Sequence, residues 1–216
     1  MTEINERLIL GGADFLARMH GDTTKLVSDW KEPKIPHTYV VGNSRDFDQF
    51  ARFFVEALGN SFAGAATFWP EALEVVDENE QRIFTPGNRH IGRPTVDRPD
   101  LLFCQSIITS DREVRGIIST VVDLIDVGSI KVCALHVTDI AKANLQRYFD
   151  ESSELPVRVS APDVIRRRSD DGWGLQSMYY DALESALGPD AKASPAFVRD
   201  RLRNLRKPAQ GKTFTM

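Results

Sequence analysis

The chain has 216 residues, of which 42% are hydrophobic and 27% are charged, and its net charge is −4. These values are ordinary for one globular domain with additions or for two small domains, and they exclude wholesale disorder. A negative net charge argues against a protein dominated by nucleic-acid binding, although a local basic patch can still bind phosphate. No apolar run approaches the ~18 residues of a membrane span, and the first ten residues lack a signal-peptide layout, so we expect a cytoplasmic protein.

The N-terminal segment, residues 1–36, predicts helical structure. Its apolar residues suggest a helix broken near Gly11-Gly12, and Asp22-Thr23-Thr24 is suited to cap a second short helix. We therefore expect residues 1–36 to form a helical addition before the main domain.

A strand–turn–helix unit follows. Thr38–Val41 is a short strand rich in β-branched and aromatic residues, and Gly42-Asn43-Ser44 is a turn. The segment Phe47–Leu58 has one apolar helical face, with Asp46 as the candidate cap. Ala65–Trp69 is suited to be the returning strand, closed by the proline that follows it. This order favours a doubly wound, mostly parallel sheet flanked by helices, which is an α/β fold.

The pattern is irregular between residues 71 and 100. Two short strands, Leu73–Val76 and Arg82–Phe84, are predicted around a solvated turn, and the glycines and prolines after them predict a loop. Long loops inside compact domains are often lids or binding loops. The candidate anion contacts in this loop, which are otherwise solvated charges, are Arg89, His90 and Arg93.

The most informative stretch predicts a βαβ unit. Leu101–Cys104 with Ile107 and Ile108 is an apolar run suited to a buried strand. Val114–Ile125 carries an apolar stripe at helical spacing, and Ile130–Val137 is a second apolar run. Any ligand would lie at the strand–turn–helix junction, where the helix presents free N–H groups.

The two cysteines, Cys104 and Cys133, fall inside these core strands, which favours buried, reduced thiols. The sequence has no CxxC, HExxH or Walker A motif, so it points to no metal site and to no P-loop hydrolysis. His136 is interpreted as a strand-end histidine with a local partner rather than as an acid–base group.

The region from residue 165 to residue 216 is helical and basic. An apolar stripe runs from Leu175 to Ala186, and Ser194-Pro195 is typical of a helix start. The candidate partner-binding residues are Arg199, Arg203, Arg206 and Lys207. They are interpreted either as a solvated helix face or as a docking surface for a protein or for nucleic-acid phosphate.

The order of elements resembles that of type I phosphoribosyltransferases over residues 36–164. CQSIITSDREVRGII matches that family's phosphate loop and helix, KVCALHV matches the next strand, and LPVRVSAPDVI matches the closing strand. VVGNSRDFDQFARFFVEALG is similar to the first strand, pyrophosphate loop and helix. The resemblance implies an N-terminal hood over 1–36, a phosphoribosyltransferase-like α/β domain over 37–164 and a basic helical appendage over 165–216.

The resemblance also implies a site for a phosphoribosyl or nucleotide ligand, with Mg²⁺ as the metal if the protein is catalytic. The phosphate contacts would come from one loop and the leaving-group contacts from another. These residues are Thr109, Ser110, Asp111 and Arg112 in the first loop and Asn43, Ser44 and Arg45 in the second.

The sequence departs from the family at that site. The family's paired acidic residues fall on Gln105 and Ser106, and its glycine-containing cradle falls on residues 109–113. Asp111 and Glu113 place negative charge where phosphate would lie, and two unit charges ~4 Å apart repel by roughly 4 kcal/mol at an effective dielectric near 20. Ser110 and Glu113 also match a capping box, which accounts for them without a ligand.

Two functions therefore stay open. The first is a protein that acts on or binds a phosphoribosyl or nucleotide ligand, with a degenerate site; as an enzyme it would be a glycosyltransferase of the phosphoribosyltransferase type. The second is a non-catalytic regulatory or effector module that binds a protein or nucleic acid within an oligomer or larger complex. The loss of the acidic pair slightly favours the second function.

Overall fold

The structure, a computed structural model, describes residues 13–30, 36–76, 82–152, 155–166, 173–188 and 195–200. The helices are α1 (Ala13–Trp30), α2 (Ala51–Leu58), α3 (Asp111–Val122), α4 (Asp139–Ser152) and α5 (Trp173–Leu187), with a 3₁₀ turn over Gly59–Ser61 and a helical turn over 196–200. The strands are β1 (Thr38–Asn43), β2 (Phe62–Val76), β3 (Arg82–Ile91), β4 (Asp100–Cys104), β5 (Ile107–Ile108), β6 (Ile130–Cys133), β7 (His136–Thr138), β8 (Val157–Ser160) and β9 (Asp163–Ile165).

Six strands form the central sheet in the order β3-β2-β1-β4-β6-β8. Only β3 is antiparallel to its neighbour; the other strands pair in parallel. The predicted neighbours β4 and β6 pair in parallel, with Leu101 opposite Ile130 and Cys104 opposite Cys133. The α/β fold and the mostly parallel sheet are therefore confirmed.

Helices cover both faces of the sheet, as a buried parallel sheet requires. Helices α1, α2 and α5 share one core cluster, and α3 and α4 share the other. Side chains alternate between these clusters along each strand: Val40 lies in the first, whereas Tyr39 and Val41 lie in the second.

The strands β4, β6 and β8 are interrupted, and their continuations form a second parallel sheet in the order β5-β7-β9. The carbonyl of Ser106, in the first interruption, accepts hydrogen bonds from the amides of Leu135 (3.1 Å) and His136 (3.0 Å) in the second. The single strand predicted over Ile130–Val137 is therefore wrong in detail, because backbone pairing between the interruptions divides it in two.

The order of the sheet reverses between β1 and β4. Strand β2 lies on one side of β1, and β4 lies on the other. At such a switch point, the loops that leave the carboxyl ends of the strands separate and form a crevice in which α/β proteins bind ligands. Here the two loops are residues 44–50 after β1 and residues 105–110 after β4.

Two predictions about local structure are wrong. The helix α1 is continuous to Trp30, and the hydroxyl of Thr23 donates to the carbonyl of Met19 one turn earlier instead of capping a new helix. The two strands predicted over Leu73–Val76 and Arg82–Phe84 are confirmed as parts of β2 and β3, but the loop predicted after them is wrong as far as Ile91, since β3 continues and His90 pairs with Thr67. Antiparallel pairing with β2 orders β3 in spite of its glycine and proline.

The helix α5 packs into the same core cluster as α1 and α2. Tyr180 and Leu183 are fully buried, whereas Met178, which the predicted stripe includes, is 43% exposed. The buried face of α5 is therefore rotated from the predicted one, and it includes the polar residue Gln176. The division of the chain at residues 36 and 164 stays a prediction.

Candidate functional site

Buried polar side chains fill the crevice at the switch point. Four of them follow or end strands β1 and β4, one begins α3, and two come from α5. They are Asn43, Asp46, Gln105, Ser106, Glu113, Gln176 and Tyr180. Because buried polar groups are costly without partners, their hydrogen bonds define what this site can bind.

Glu113 is the centre of one half of this network. Its Oε1 accepts hydrogen bonds from the side-chain amides of Asn43 (3.1 Å) and Gln105 (3.3 Å). Its Oε2 accepts from the amide of Gln176 on α5 at 2.7 Å. The capping box predicted for Ser110 and Glu113 is wrong, since no side chain caps α3. The three buried amides draw the carboxylate inward instead.

Asp46 is the centre of the other half. Its Oδ2 accepts from the backbone amide of Ser106 at 2.7 Å, from the Ser106 hydroxyl and from the Tyr180 hydroxyl at 3.2 Å. Among the described residues, no donor reaches its Oδ1. The prediction that Asp46 caps α2 is wrong, since that helix has no side-chain cap. The Asp46 carboxylate instead binds Ser106, which follows β4, and Tyr180 on α5.

Burial raises the pKa of both carboxyl groups. The pKa of Asp46 rises from 3.8 to about 6, because desolvation outweighs its hydrogen bonds from Ser106 and Tyr180. The pKa of Glu113 rises from 4.5 to about 7, because of desolvation first and the nearby charge of Asp46 as well; the amide hydrogen bonds oppose this rise. Both carboxyl groups of the crevice therefore titrate closer to neutral pH than exposed carboxyl groups do.

The helix α5 closes the crevice from above. The hydroxyl of Thr109 donates to Oε1 of Gln176 at 2.6 Å, so this predicted phosphate contact is engaged by the chain itself. Arg45, a predicted leaving-group contact, binds Glu184 of α5 at 2.9 Å and lies 4.4 Å from the centre of the Tyr180 ring. A ligand at the switch point would have to displace α5.

The other predicted ligand residues lie around the rim. Ser110 precedes α3 and is half-buried, as are Ser44 and Arg112. The carboxylate of Asp111 accepts from Asn144 at 3.2 Å and from Arg115 at 3.0 Å. The acidic rim thus has partners within the protein. As ligand contacts, all seven residues stay predictions.

The remaining predicted residues lie elsewhere. His136 binds Asp163 at 2.8 Å between β7 and β9, in agreement with its interpretation as a strand-end histidine with a local partner. Arg89 and His90 lie on β3, and Arg93 follows it. Arg199 is exposed, whereas Arg203, Arg206 and Lys207 lie outside the described residues.

Sequence reasoning missed the roles of Asp46, Gln176 and Tyr180. A usable signal exists only for α5, where Gln176 and Tyr180 are four residues apart and therefore share a helix face. The partners of these residues lie 63 and 134 positions away in sequence, so no local pattern identifies them.

The buried carboxylates do not fit Mg²⁺. A magnesium ion needs near-octahedral oxygen ligation, whereas three of the four carboxylate oxygens of Asp46 and Glu113 accept hydrogen bonds from protein donors, and Asp46 Oδ1 alone of the four has no described donor. Across the residues that the structure describes, no group of three His, Cys, Asp or Glu side chains could hold a metal ion. In the same part of the chain, no helix is both long and apolar enough to cross a membrane.

Comparisons by sequence find no relative: no family model matches the chain, and no curated protein matches it. Comparisons by structure do find similar folds. The AQ2163 protein from Aquifex aeolicus superposes with a TM-score of 0.53 at 11% identity, covering 80% of this chain and 89% of that one.

Two further structures are similar at lower scores. Adenine phosphoribosyltransferase from Trypanosoma brucei, in complex with AMP, pyrophosphate and ribose 5-phosphate, has a TM-score of 0.46 at 12% identity, covering 85% of this chain and 76% of its own. A hypothetical protein from Neisseria gonorrhoeae with bound ppGpp has a TM-score of 0.42 at 13% identity, covering 79% and 94%. Similarity at such low sequence identity reflects the fold and does not show a shared function. With its mostly parallel six-stranded sheet, antiparallel edge strand and helices on both faces, the chain has an α/β fold similar to that of the AQ2163 protein.

Proposed function

We propose that the protein is a non-catalytic module with a phosphoribosyltransferase-like fold, in which the helix α5 takes the place of a ligand. The observation that carries this proposal is the hydrogen bonding of Gln176. Its amide group binds both Thr109, at the predicted phosphate loop, and Glu113, at the start of α3. One side chain of the protein thereby engages both Thr109, a predicted phosphate contact, and the buried carboxyl group of Glu113.

The chemistry of the strand ends supports the same proposal. Gln105 and Ser106 follow β4, and each directs its polar side chain toward a buried carboxyl group of the protein. A ribose ligand that engaged both side chains would remove one of three donors from Glu113 and one of three from Asp46. Loss of a hydrogen bond to a charged group costs about 1.5–3 kcal/mol.

The most direct test of the non-catalytic proposal is a turnover assay. The full chain is incubated with phosphoribosyl diphosphate, Mg²⁺ and a panel of purine and pyrimidine bases, and pyrophosphate release is measured. We expect no release above that of a protein-free control. Release that depends on a particular base, and that Glu113→Gln changes, would contradict the proposal.

As a module, the protein would act by binding a partner in a larger complex, and its basic C-terminal segment is the candidate surface. Residues 196–200 lie against the loop after β1: the amide of Ala196 donates to both carboxylate oxygens of Asp48, at 3.0 and 3.2 Å, and the rings of Phe47 and Phe197 are 4.7 Å apart. This contact places residues 196–200 beside the loop after β1, and the candidate residues Arg203, Arg206 and Lys207 follow them in the sequence.

The class of partner is tested by fluorescence anisotropy with labelled duplex DNA and single-stranded RNA. Nucleic-acid binding would weaken by nearly one power of the salt concentration for each duplex phosphate contact. It would be lost when Arg199, Arg203, Arg206 and Lys207 are replaced by Ala. Absence of binding to either probe at low salt would exclude a nucleic-acid partner and leave a protein partner.

A second function is nucleotide binding after α5 moves away, and one observation favours it. The Thr109 hydroxyl donates to α5 itself, through Gln176, so loss of this helix contact would free that hydroxyl at the start of α3. Gln176→Ala would then bind a nucleotide that the unmodified chain does not bind. Equal absence of binding in both proteins, measured by calorimetry with AMP, would exclude this function.

A further inference from the structure

A cavity lies away from the switch point, between the C-terminal end of α1 and the strands β6 and β8. Its volume is about 300 Å³, at the lower end of the ~300–1,000 Å³ of small-molecule sites. Its lining includes Leu26, Asp29, Trp30, Lys131, Arg158 and Ser160. None of these residues belongs to the network around Asp46 and Glu113.

The register of the sheet brings the two basic residues of this cavity together. Lys131 on β6 is paired directly with Arg158 on β8, and Cys133 is paired with Ser160 two residues later. Directly paired residues project from the same face of a sheet, and neighbouring strands lie about 4.8 Å apart. Like charges in this arrangement destabilise a sheet, so an anion between them would replace repulsion by attraction.

Side-chain alternation confines these polar groups to the cavity. Val157 and Val159 pack against the core cluster of α3 and α4, so Arg158 and Ser160 face the opposite side, toward α1. A parallel strand is normally apolar on both faces. Arg158 is exposed and forms no ion pair with any residue that the structure describes, and the same holds for Asp29. Among the lining residues that the structure describes, two are cationic and one, Asp29, is anionic.

The walls of the cavity combine this charge with an aromatic surface. The Lys131 ammonium nitrogen lies 6.0 Å from the centre of the Trp30 ring, within the range of a cation–π contact. The charges of Lys131 and Arg158 both lower the pKa of the Cys133 thiol, against a larger rise from burial. Both cations therefore act electrostatically on Cys133, which is part of the cavity lining.

We propose that this cavity binds a small phosphate ester. The guanidinium of Arg158 and the ammonium of Lys131 bind the phosphate oxygens, and the Ser160 hydroxyl donates a further hydrogen bond. Trp30 and Leu26 pack against the organic part of the molecule. Phosphate suits this lining better than a carboxylate, because a phosphate ester has three terminal oxygens, two for the planar guanidinium and one for the ammonium, whereas a carboxylate has only two.

The proposal is tested by calorimetric titration of the full chain with phenyl phosphate, inorganic phosphate and benzoate at low salt. Phenyl phosphate combines the anion with a ring that can contact Trp30, and benzoate keeps the ring with a single charge. We expect phenyl phosphate to bind more tightly than inorganic phosphate and at least tenfold more tightly than benzoate.

Variants assign the binding to the cavity. We expect Arg158→Ala and Lys131→Ala each to weaken phenyl phosphate binding at least tenfold, and Lys131→Arg to retain most of it. Arg52→Ala, which removes an exposed arginine from α2, should leave affinity unchanged, and circular dichroism confirms that each variant is folded. Binding that persists in both Ala variants would overturn the proposal, as would absence of phenyl phosphate binding to the unmodified chain.

Discussion

The side chain of Gln176 on α5 joins two residues that flank the start of α3: it donates to Glu113 at 2.7 Å and accepts from Thr109 at 2.6 Å. This arrangement makes α5 part of the end of the sheet where the strands β1 and β4 finish. Because Gln176 donates to Glu113, the packing of α5 also depends on whether Glu113 is protonated, and burial raises the pKa of Glu113 to about 7. The stability of the closed crevice should therefore depend on pH near neutrality.

Replacement of Glu113 by Gln tests this dependence. Between its ordinary pKa of 4.5 and its folded pKa of about 7, the folded chain holds a proton that the unfolded chain has lost. Stability from this group is therefore present below pH 4.5 and is lost as the pH rises through 7. We expect the fall in the free energy of unfolding between pH 5 and pH 8 to be about 2–3 kcal/mol smaller in Glu113→Gln, as measured by urea denaturation.

The matched control for that measurement is Glu56→Gln, which replaces a carboxylate that is 61% exposed on α2. This variant should keep the pH profile of the unmodified chain. Parallel profiles for Glu113→Gln and the unmodified chain would show that Glu113 does not hold its proton in the folded state.

The Tyr180 hydroxyl tests the other acid. Tyr180→Phe removes a donor to Asp46, whose pKa is raised from 3.8 to about 6. At pH 8 the lost bond is to a carboxylate and costs about 1.5–3 kcal/mol; at pH 5 it is to a neutral acid and costs about 0.5–1.5 kcal/mol. Urea denaturation at both pH values measures the difference.

Tyr179→Phe is the control for Tyr180, because the Tyr179 hydroxyl lies close to Ser106 without reaching hydrogen-bonding geometry. Its effect on stability should be the same at pH 5 and pH 8. A Tyr180→Phe effect that is equally independent of pH would separate Tyr180 from the charge on Asp46.

Gly42, in the strand before the first crevice loop, is required by close packing. A Cβ added there would lie 2.8 Å from Cδ2 of Phe47 and 3.2 Å from the backbone oxygen of Cys104. We expect Gly42→Ala to destabilise the protein by about 1–3 kcal/mol, as measured by urea denaturation. Gly116→Ala on α3 meets no atom within 4 Å and should stabilise by about 0.5–1 kcal/mol. Equal effects would contradict the packing described between β1 and β4.

Leu183 tests whether α5 is part of the core. This residue is fully buried in the cluster with α1 and α2, whereas Met178 on the same helix is largely exposed. Leu183→Ala should cost about 2–5 kcal/mol in thermal or urea denaturation, and Met178→Ala should change stability by no more than about 0.5 kcal/mol. A small effect of Leu183→Ala would mean that α5 is a detachable appendage.

The central strands and α3 could be predicted because their signals are local. Apolar runs and helical spacing depend on neighbouring residues, and they place Leu101–Cys104 and Val114 correctly. The second sheet could not be predicted, because the interruption at Ser106 is fixed by amides of Leu135 and His136 about thirty residues away. These hydrogen bonds between distant parts of the chain interrupt the strand that the local pattern predicts as continuous.

The candidate site was less predictable for the same physical reason. The sequence pattern that starts with Ser110 and ends with Glu113 is equally compatible with a local cap and with a buried carboxylate. Three amides, of Asn43, Gln105 and Gln176, decide the outcome, and they come from three separate parts of the chain. The sequence predicts that Glu113 repels phosphate at this loop, whereas in the structure its carboxyl group is buried and accepts hydrogen bonds from these amides.

The central claim is that the helix α5 occupies the ligand end of the sheet, and calorimetric titration with phosphoribosyl diphosphate tests it most directly. The full chain is titrated at pH 8, with and without Mg²⁺, beside the Gln176→Ala variant. Because Asn43, Thr109 and Glu113 already form hydrogen bonds within the protein, we expect no measurable heat or a dissociation constant in the millimolar range. A millimolar dissociation constant corresponds to a binding free energy of about −4 kcal/mol. Micromolar binding to the unmodified chain would contradict the claim, since it would require the ligand to displace α5 at little cost.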